Sequence, residues 1–204
     1  MAASPKLLLY SGTRLSDPSQ FRMVVGSLQY LAFTRPDISY DVNRLSQFMH
    51  RSTTDHWQAA KRVLCYLSGT ITHGIFLPSN NALVLRAFSD TDWAGDTDDY
   101  VSTNAYLGDQ AVSWSSKKQH GVARSSIEAE YREIANASTE IRWICNLLSE
   151  LRIHIPTAHV QSGALKVSHV SAKDQLADAL TKPLPRASFL HACSKIGVTK
   201  VPLS

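Results

Sequence analysis

The chain has 204 residues, 44% of them apolar, with a formal net charge of +4 and an isoelectric point near 9.0. This composition excludes a disordered chain and provides a core for one or two domains, while the mild positive charge suits contact with phosphates without requiring it. Cys65, Cys145 and Cys193 are odd in number and far apart, which argues against a disulfide framework or a zinc site, and no apolar run reaches the roughly 20 residues of a membrane span, so the expectation is a soluble intracellular protein, cytoplasmic or nuclear.

Residues 1–16 show no period and read as an irregular lead-in. Asp17-Pro18 then gives a helix-start signal, followed by Phe21, Val24, Val25, Leu28 and Leu31 at helical spacing. Arg35-Pro36-Asp37 breaks this helix, because the residue before a proline is pushed out of the α region. Asp37 is then expected to cap a second helix whose inward positions are Ile38, Val42, Leu45 and Phe48 or Met49. A third helix is expected after Thr53-Thr54-Asp55, carrying Trp57, Ala60, Val63, Leu64 and Leu67 to a stop at Gly69. Residues 17–70 therefore read as a small helical unit, with Leu28, Leu31, Val42, Leu45, Trp57 and Leu64 buried.

From Thr70 the pattern turns to strands. Gly74–Leu77, a turn at Pro78–Asn81, and Ala82–Ser89 read as a hairpin running into a carboxylate cluster, Asp90-Thr-Asp-Trp-Ala-Gly-Asp96. In this reading Asp90 ends the strand, and Asp92 and Asp96 lie in the turn after it. A short strand at Ala105–Leu107, a turn at Gly108-Asp109 and a strand at Ala111–Ser115 follow, with connections short enough to require antiparallel pairing. Ser125 and Glu128 have capping-box spacing and open a long helix with Ile127, Tyr131, Ile134, Ala137, Ile141, Ile144, Leu148 and Leu151 on one face, with Ser138-Thr139 as a candidate interruption. Pro156 ends it. Ala164–Val170 alternates as a strand, Asp174–Leu180 reads as a short helix sharing Asp174 and Asp178 on one face, and Ala187–Ile196 as a last helix. His159 and His169 carry no assigned role.

Hard cations such as Mg²⁺ take oxygen ligands and are held by one or two protein carboxylates plus substrate phosphates, and an ordered strand holds such a ligand more rigidly than a loop. Aspartate is also a favoured turn residue for local hydrogen bonding, so Asp90 needs partners from elsewhere in the chain to be more than that. The order of elements supplies candidates. Three antiparallel strands, a capped helix, then strand and helix is the order of a ribonuclease H fold. The stretches GSLQYLAFTRPDISYDVNRLSQFM (26–49), HWQAAKRVLCYLSGTITHGIFL (56–77), FSDTDWAGD (88–96), VSWSSKKQ (112–119), RSSIEAEYREIA (124–135) and VSAKDQLADALTKPLP (170–185) resemble the C-terminal part of the polyprotein of copia-type retrotransposons, where the end of a reverse transcriptase runs into a ribonuclease H domain.

The resemblance implies an α+β fold with three parts: the lead-in 1–16, a helical reverse-transcriptase segment 17–70, and a ribonuclease H-like mixed sheet with helices over 71–204. It implies that Asp90, Glu130 and Asp178 are the metal-binding catalytic carboxylates of a two-Mg²⁺ site, with ions about 3.5–4 Å apart that activate water and stabilise the leaving 3′ oxygen. The implied partner is an RNA–DNA hybrid, recognised through backbone shape and the 2′-hydroxyl.

The sequence departs from the family at three places. The strand after the long helix, which ends in a Cys-Asp-Asn motif carrying a further metal ligand, has no counterpart, since Leu151–Ala158 passes almost directly into His159–Val167. The second strand is shorter near Tyr106–Asp109, and Tyr100-Val101 stands where a pair of arginines is usual. Strands lie about 4.8 Å apart and a catalytic constellation tolerates errors of about 0.5 Å, so loss of a strand is expected to displace Asp178 from Asp90. Residues 164–170 are then expected to pair in parallel with 83–89, covering the exposed edge. Asp90 and Glu130, both on elements before the gap, are expected within about 10 Å of each other.

The leading expectation is a degenerate polyprotein fragment with little or no nuclease activity. An active metal-dependent hybrid ribonuclease, with Asp92 or Asp174 replacing the lost ligand, is the second. The third is a non-catalytic nucleic-acid-binding or interaction module using Lys117, Lys118, Arg124, Trp93 and Trp114, although strand tryptophans are more often core and such lysines are usually just solvated.

Overall fold

The computed structural model describes residues 7–77, 85–108, 111–153 and 165–200. Three helices come first: α1 (Ser19–Leu31), α2 (Ser39–Ser46) and α3 (Thr54–Gly69), with a 3₁₀ turn at Pro36–Ile38 between the first two. At the start of α1 the Asp17 carboxylate accepts from the Ser19 amide at 2.9 Å, and Phe21, Val25 and Leu28 form its buried stripe. Asp37 does not cap α2. Its carboxylate is taken instead by the Arg35 guanidinium and the Tyr66 hydroxyl, and α2 begins at Ser39 without a side-chain cap. The α3 cap is reciprocal. Thr53 Oγ1 accepts from the His56 amide while the Thr53 amide donates to His56 Nδ1 at 3.1 Å, so an imidazole plays the part a Glu or Gln has in the usual capping box.

The helical core contains Phe21, Val25, Leu28, Ile38, Val42, Leu45, Ala60 and Val63. Leu31 and Trp57 pack against it half-buried, and Leu64 is 40% exposed, contrary to the expectation that it is core. The reason is rotational. Ala60 and Val63, three residues apart, already face inward on α3, and Leu64 falls beside that stripe.

The strands are β1 (His73–Ile75), β2 (Ala87–Asp92), β3 (Thr103–Gly108), β4 (Trp114–Lys118) and β5 (Val198–Lys200). β2, β3 and β4 form one antiparallel sheet in that order, with Asp90 opposite Ala105 and Ala105 opposite Ser116. β1 pairs antiparallel with β5, a pairing the sequence did not suggest, while the turn at 78–81 and residues 82–84 of the expected hairpin lie outside the described residues. β2 also starts later than expected and runs to Asp92, which puts Asp90 inside the strand. The turn behind it is tight, since a Cβ on Gly95 would run into the Asp92 carboxylate. β4 lies three residues beyond its expected start: Gly108 N donates to Ser113 O at 2.7 Å and Ala111 takes a positive φ of 49°, so residues 111–113 stay outside the strand.

α4 (Ser126–Glu150) is continuous; Ser138 and Thr139 return their hydroxyls to the carbonyls of Ile134 and Ala135 and so do not interrupt it. Ser125 Oγ accepts from the Glu128 amide at 3.1 Å as its cap. Ala129, Glu133, Ala137, Ile141, Ile144 and Cys145 are buried, whereas Ile127, Tyr131 and Leu151, expected on the inner face, are exposed. α5 (Asp178–Thr181) is only four residues, with Asp174 in the turn before it, and α6 (Arg186–Ile196) ends at Gly197, whose φ of 90° is the left-handed conformation that glycine adopts at no steric cost.

Residues 165–170 form no strand, so the expected parallel pairing is not present, and residues 83, 84 and 164 of that expectation lie outside the described residues. Among the described residues no strand covers the outer edge of β2; Gln175 Nε2 donates to Ser89 O there at 3.0 Å. The second core joins Ala105 and Leu107 of β3 to Leu180, Phe189, Cys193, Ile196 and Val198. Tyr66 of α3 packs against both cores, edge-on to Phe189, and the Trp114 indole donates to Ala32 O at 2.9 Å, so helical unit and sheet are in direct contact. All three cysteines are free, and no described helix is long and apolar enough to cross a membrane.

Candidate carboxylate site

Asp90 and Asp178 meet. α5 packs directly on β2 and β3 with no intervening strand, which brings Asp178, its first residue, to the carboxylate that β2 presents. The expected displacement of Asp178 does not occur: α5 lies across β2, β3 and β4, and this placement sets its first residue beside the carboxylate of β2. Asp178 lies within hydrogen-bonding reach of Asp90, and its carboxyl is pushed above the ordinary aspartate range by burial first and then by the Asp90 charge, against the lowering effect of its hydrogen bond from Lys182.

Two neighbours complete this cluster. The Thr181 hydroxyl donates to Asp90 Oδ2, and Lys182 Nζ stands 2.8 Å from Asp178 Oδ1 and 3.7 Å from Asp90 Oδ2. Burial works against the Lys182 ammonium, but its bond to Asp178 and the charges of Asp90, Asp178 and Asp92 outweigh that, leaving its pKa raised.

Glu130 is exposed, and the buried acid on α4 is Glu133, one turn further on, at 3% exposure. Glu133 accepts from Asn136 Nδ2 at 2.9 Å. Its carboxyl is raised by burial, opposed by hydrogen bonds from Asn136 and Asn104 and by Lys117, and raised again by the Asp90 charge. Asp90 therefore has Asp178 on one side and senses Glu133 across the sheet. Asp174 lies apart from this group in an ion pair with Lys195 at 2.7 Å.

The sequence reading missed Thr181, Lys182 and Glu133. The Asp178–Lys182 spacing of four, a favourable pairing on a helix, was a usable signal. Glu133 had none beyond its place three residues after Glu130.

Two carboxylates make up the usual protein share for a single hard cation. The described residues contain no group of three His, Cys, Asp or Glu side chains arranged to hold a metal ion, so the donor set does not fit the two-ion centre that the resemblance implies.

The residues expected to form a nucleic-acid surface divide. Lys118 is held by Asp96 at 2.5 Å and Asp99 at 2.7 Å, and Trp114 is tied into the core. Lys117 and Arg124 are exposed, and Trp93 is 47% exposed with its indole N–H on Ala123 O.

No family model and no solved structure matches the chain. The chain is 57% identical, over its whole length, to the retrovirus-related Pol polyproteins from transposons RE2 and RE1 of Arabidopsis thaliana. It is 32% identical, over 83% of its length, to that from transposon TNT 1-94 of Nicotiana tabacum. It spans only 17%, 16% and 16% of these relatives. The Arabidopsis alignments run over 242 positions, 38 more than the 204 residues of this chain, so the relatives carry positions to which nothing here corresponds. The chain belongs to the retrovirus-related Pol polyproteins of copia-type retrotransposons.

Proposed function

We propose that residues 71–204 descend from a ribonuclease that cuts the RNA strand of an RNA–DNA hybrid and that they now have little or no such activity. One observation carries this reading: Asp90 is joined by Asp178 but by no third carboxylate able to share a metal ion with them, among the described residues. In the parent chemistry two Mg²⁺ ions activate the water and stabilise the leaving 3′ oxygen. In this chain Asp90 and Asp178 would hold at most one ion, and Glu133 is engaged by Asn136. The helical unit, by its resemblance to the end of a reverse transcriptase, serves as a scaffold packed on the sheet. The three free cysteines accord with a reducing intracellular location, cytoplasmic or nuclear.

The test is hydrolysis of a labelled RNA–DNA hybrid by the full chain in Mg²⁺ or Mn²⁺, beside the Asp90→Asn variant prepared identically. The expected result is no cleavage above the variant's background. Cleavage that Asp90→Asn abolishes overturns the reading and restores the enzyme.

Retained binding of the hybrid without cleavage is a second reading, favoured by the exposure of Lys117, Arg124 and Trp93. Its mark is affinity that falls steeply with salt and weakens when Lys117 and Arg124 are both changed to Ala.

A further inference from the structure

Two carboxylates within hydrogen-bonding reach repel each other unless a proton or a cation stands between them. In this fold the cation comes from the chain. Lys182 follows α5 directly, in extended backbone with φ −146° and ψ 155°, and its ammonium lies 2.8 Å from Asp178 and 3.7 Å from Asp90. The Thr181 hydroxyl takes a position on Asp90 Oδ2. The two carboxylate side chains are 19% and 14% exposed and the lysine 39%, so the acids are the more buried members of the cluster and the lysine the more exposed one.

We propose that Lys182 is the resident counter-ion of the Asp90–Asp178 pair and keeps that pair closed to divalent cations, a proposal that rests on the reading above and names the residue that prevents the site from loading. The competition is unequal. A group tethered to the site acts at an effective concentration of roughly millimolar or more, whereas free Mg²⁺ must first shed tightly held water to compete for the same oxygens. The protein donors for one ion are present, but part of their negative charge is already offset by an ammonium that cannot diffuse away.

The experiment compares the full chain with Lys182→Met, Lys182→Gln, Lys182→Arg and the double variant Lys182→Met/Asp178→Asn. Each is titrated calorimetrically with Mg²⁺ and Mn²⁺, and each is melted in EDTA and in the cation. The unmodified chain and Lys182→Arg are expected to shift by less than about 1 °C with the cation. Lys182→Met and Lys182→Gln are expected to melt lower in EDTA and to gain about 3–6 °C at a cation concentration tenfold above their dissociation constant. Their affinity should be about tenfold or more tighter than that of the unmodified chain, the order expected for removing one partly solvated competing charge. The double variant should gain nothing.

If Lys182→Met and Lys182→Gln respond no more than the unmodified chain, or if the unmodified chain binds the cation equally well, the counter-ion role is overturned. Hybrid cleavage is a separate readout. Cleavage by the unmodified chain sinks the reading of the domain as inactive, whereas a failed cation response in the variants bears on Lys182 alone.

Discussion

The Arg44 guanidinium, on the second helix of the helical unit, donates to the Asp96 carboxylate at 2.6 Å across 52 residues of sequence. Lys118 of β4 meets the same carboxylate, and Asp96 is 4% exposed. One buried acid thus anchors a cation from the helices and another from the sheet. Asp96→Ala leaves both cations without their shared partner and is expected to cost about 2–4 kcal/mol, less than the most severe buried-pair losses because Lys118 can regain water. Burial alone would raise the Asp96 carboxyl, but its bonds from Arg44, Lys118 and the Asp98 amide win, and its pKa lies well below the ordinary value of 3.8. A depressed aspartate stabilises fully above its unfolded pKa and loses that contribution as pH falls toward the folded one. Urea denaturation should therefore show the gap between wild type and Asp96→Ala constant from pH 5 to 7 and shrinking below about pH 4.

Asp37 accepts from Arg35 at 2.9 and 2.7 Å and from the Tyr66 hydroxyl at 2.7 Å, and its side chain is fully buried. Asp37→Ala should cost about 3–5 kcal/mol, since it strands a buried guanidinium. Tyr66→Phe should cost about 1–3 kcal/mol through loss of a charge-assisted bond. Because Tyr66 also packs on Phe189, both changes should lower one shared transition, with far-ultraviolet circular dichroism and tryptophan fluorescence melting together. Separate transitions would show that the two cores fold independently.

Glu133 behaves in the opposite sense to Asp96. Its raised carboxyl favours the fold when protonated, and that contribution is lost as pH rises through the folded value. Glu133→Gln should be the more stable protein at pH 7, with an advantage that vanishes toward pH 4. An advantage independent of pH would mean that the carboxyl is not strained by burial.

Leu28 at 3% exposure and Leu64 at 40% offer a direct test of how the helical unit packs. Leu28→Ala should lose about 2–4 kcal/mol to transfer and cavity terms, and Leu64→Ala less than about 1 kcal/mol. Comparable losses at both positions would contradict the rotation of α3 described above.

The helices were legible because their signals are local. Asp17-Pro18, the break at Arg35-Pro36 and the Thr53 cap each lie within a few residues of what they control. Strand boundaries were less so. β2 and β4 each sit a few residues beyond their apolar patterns because the turn at Gly108–Ser113 and the antiparallel register fix them, and those are properties of the pair. The partner of β1 could not be read locally at all, since it lies in the last described strand. At the candidate site, Asp90 and Asp178 could be named from motifs, but their meeting depended on how α5 packs across β2 and β3. Glu133 was hidden because helical phase against a sheet, not spacing along a helix, decides which glutamate is buried.

The pairing of Ile75 with Val198 makes the intervening chain a closed loop of about 120 residues, and the resemblance places the absent strand inside it, after the long helix. Closure entropy grows only with the logarithm of loop length. Adding 38 residues to that loop, the excess of the Arabidopsis alignments over this chain, would alter the closure term by only ~0.2 kcal/mol wherever in the loop they were placed. As far as chain statistics are concerned, a segment of that size can leave the middle of the domain almost without consequence, while the stitch between its first and last strands stays where it was.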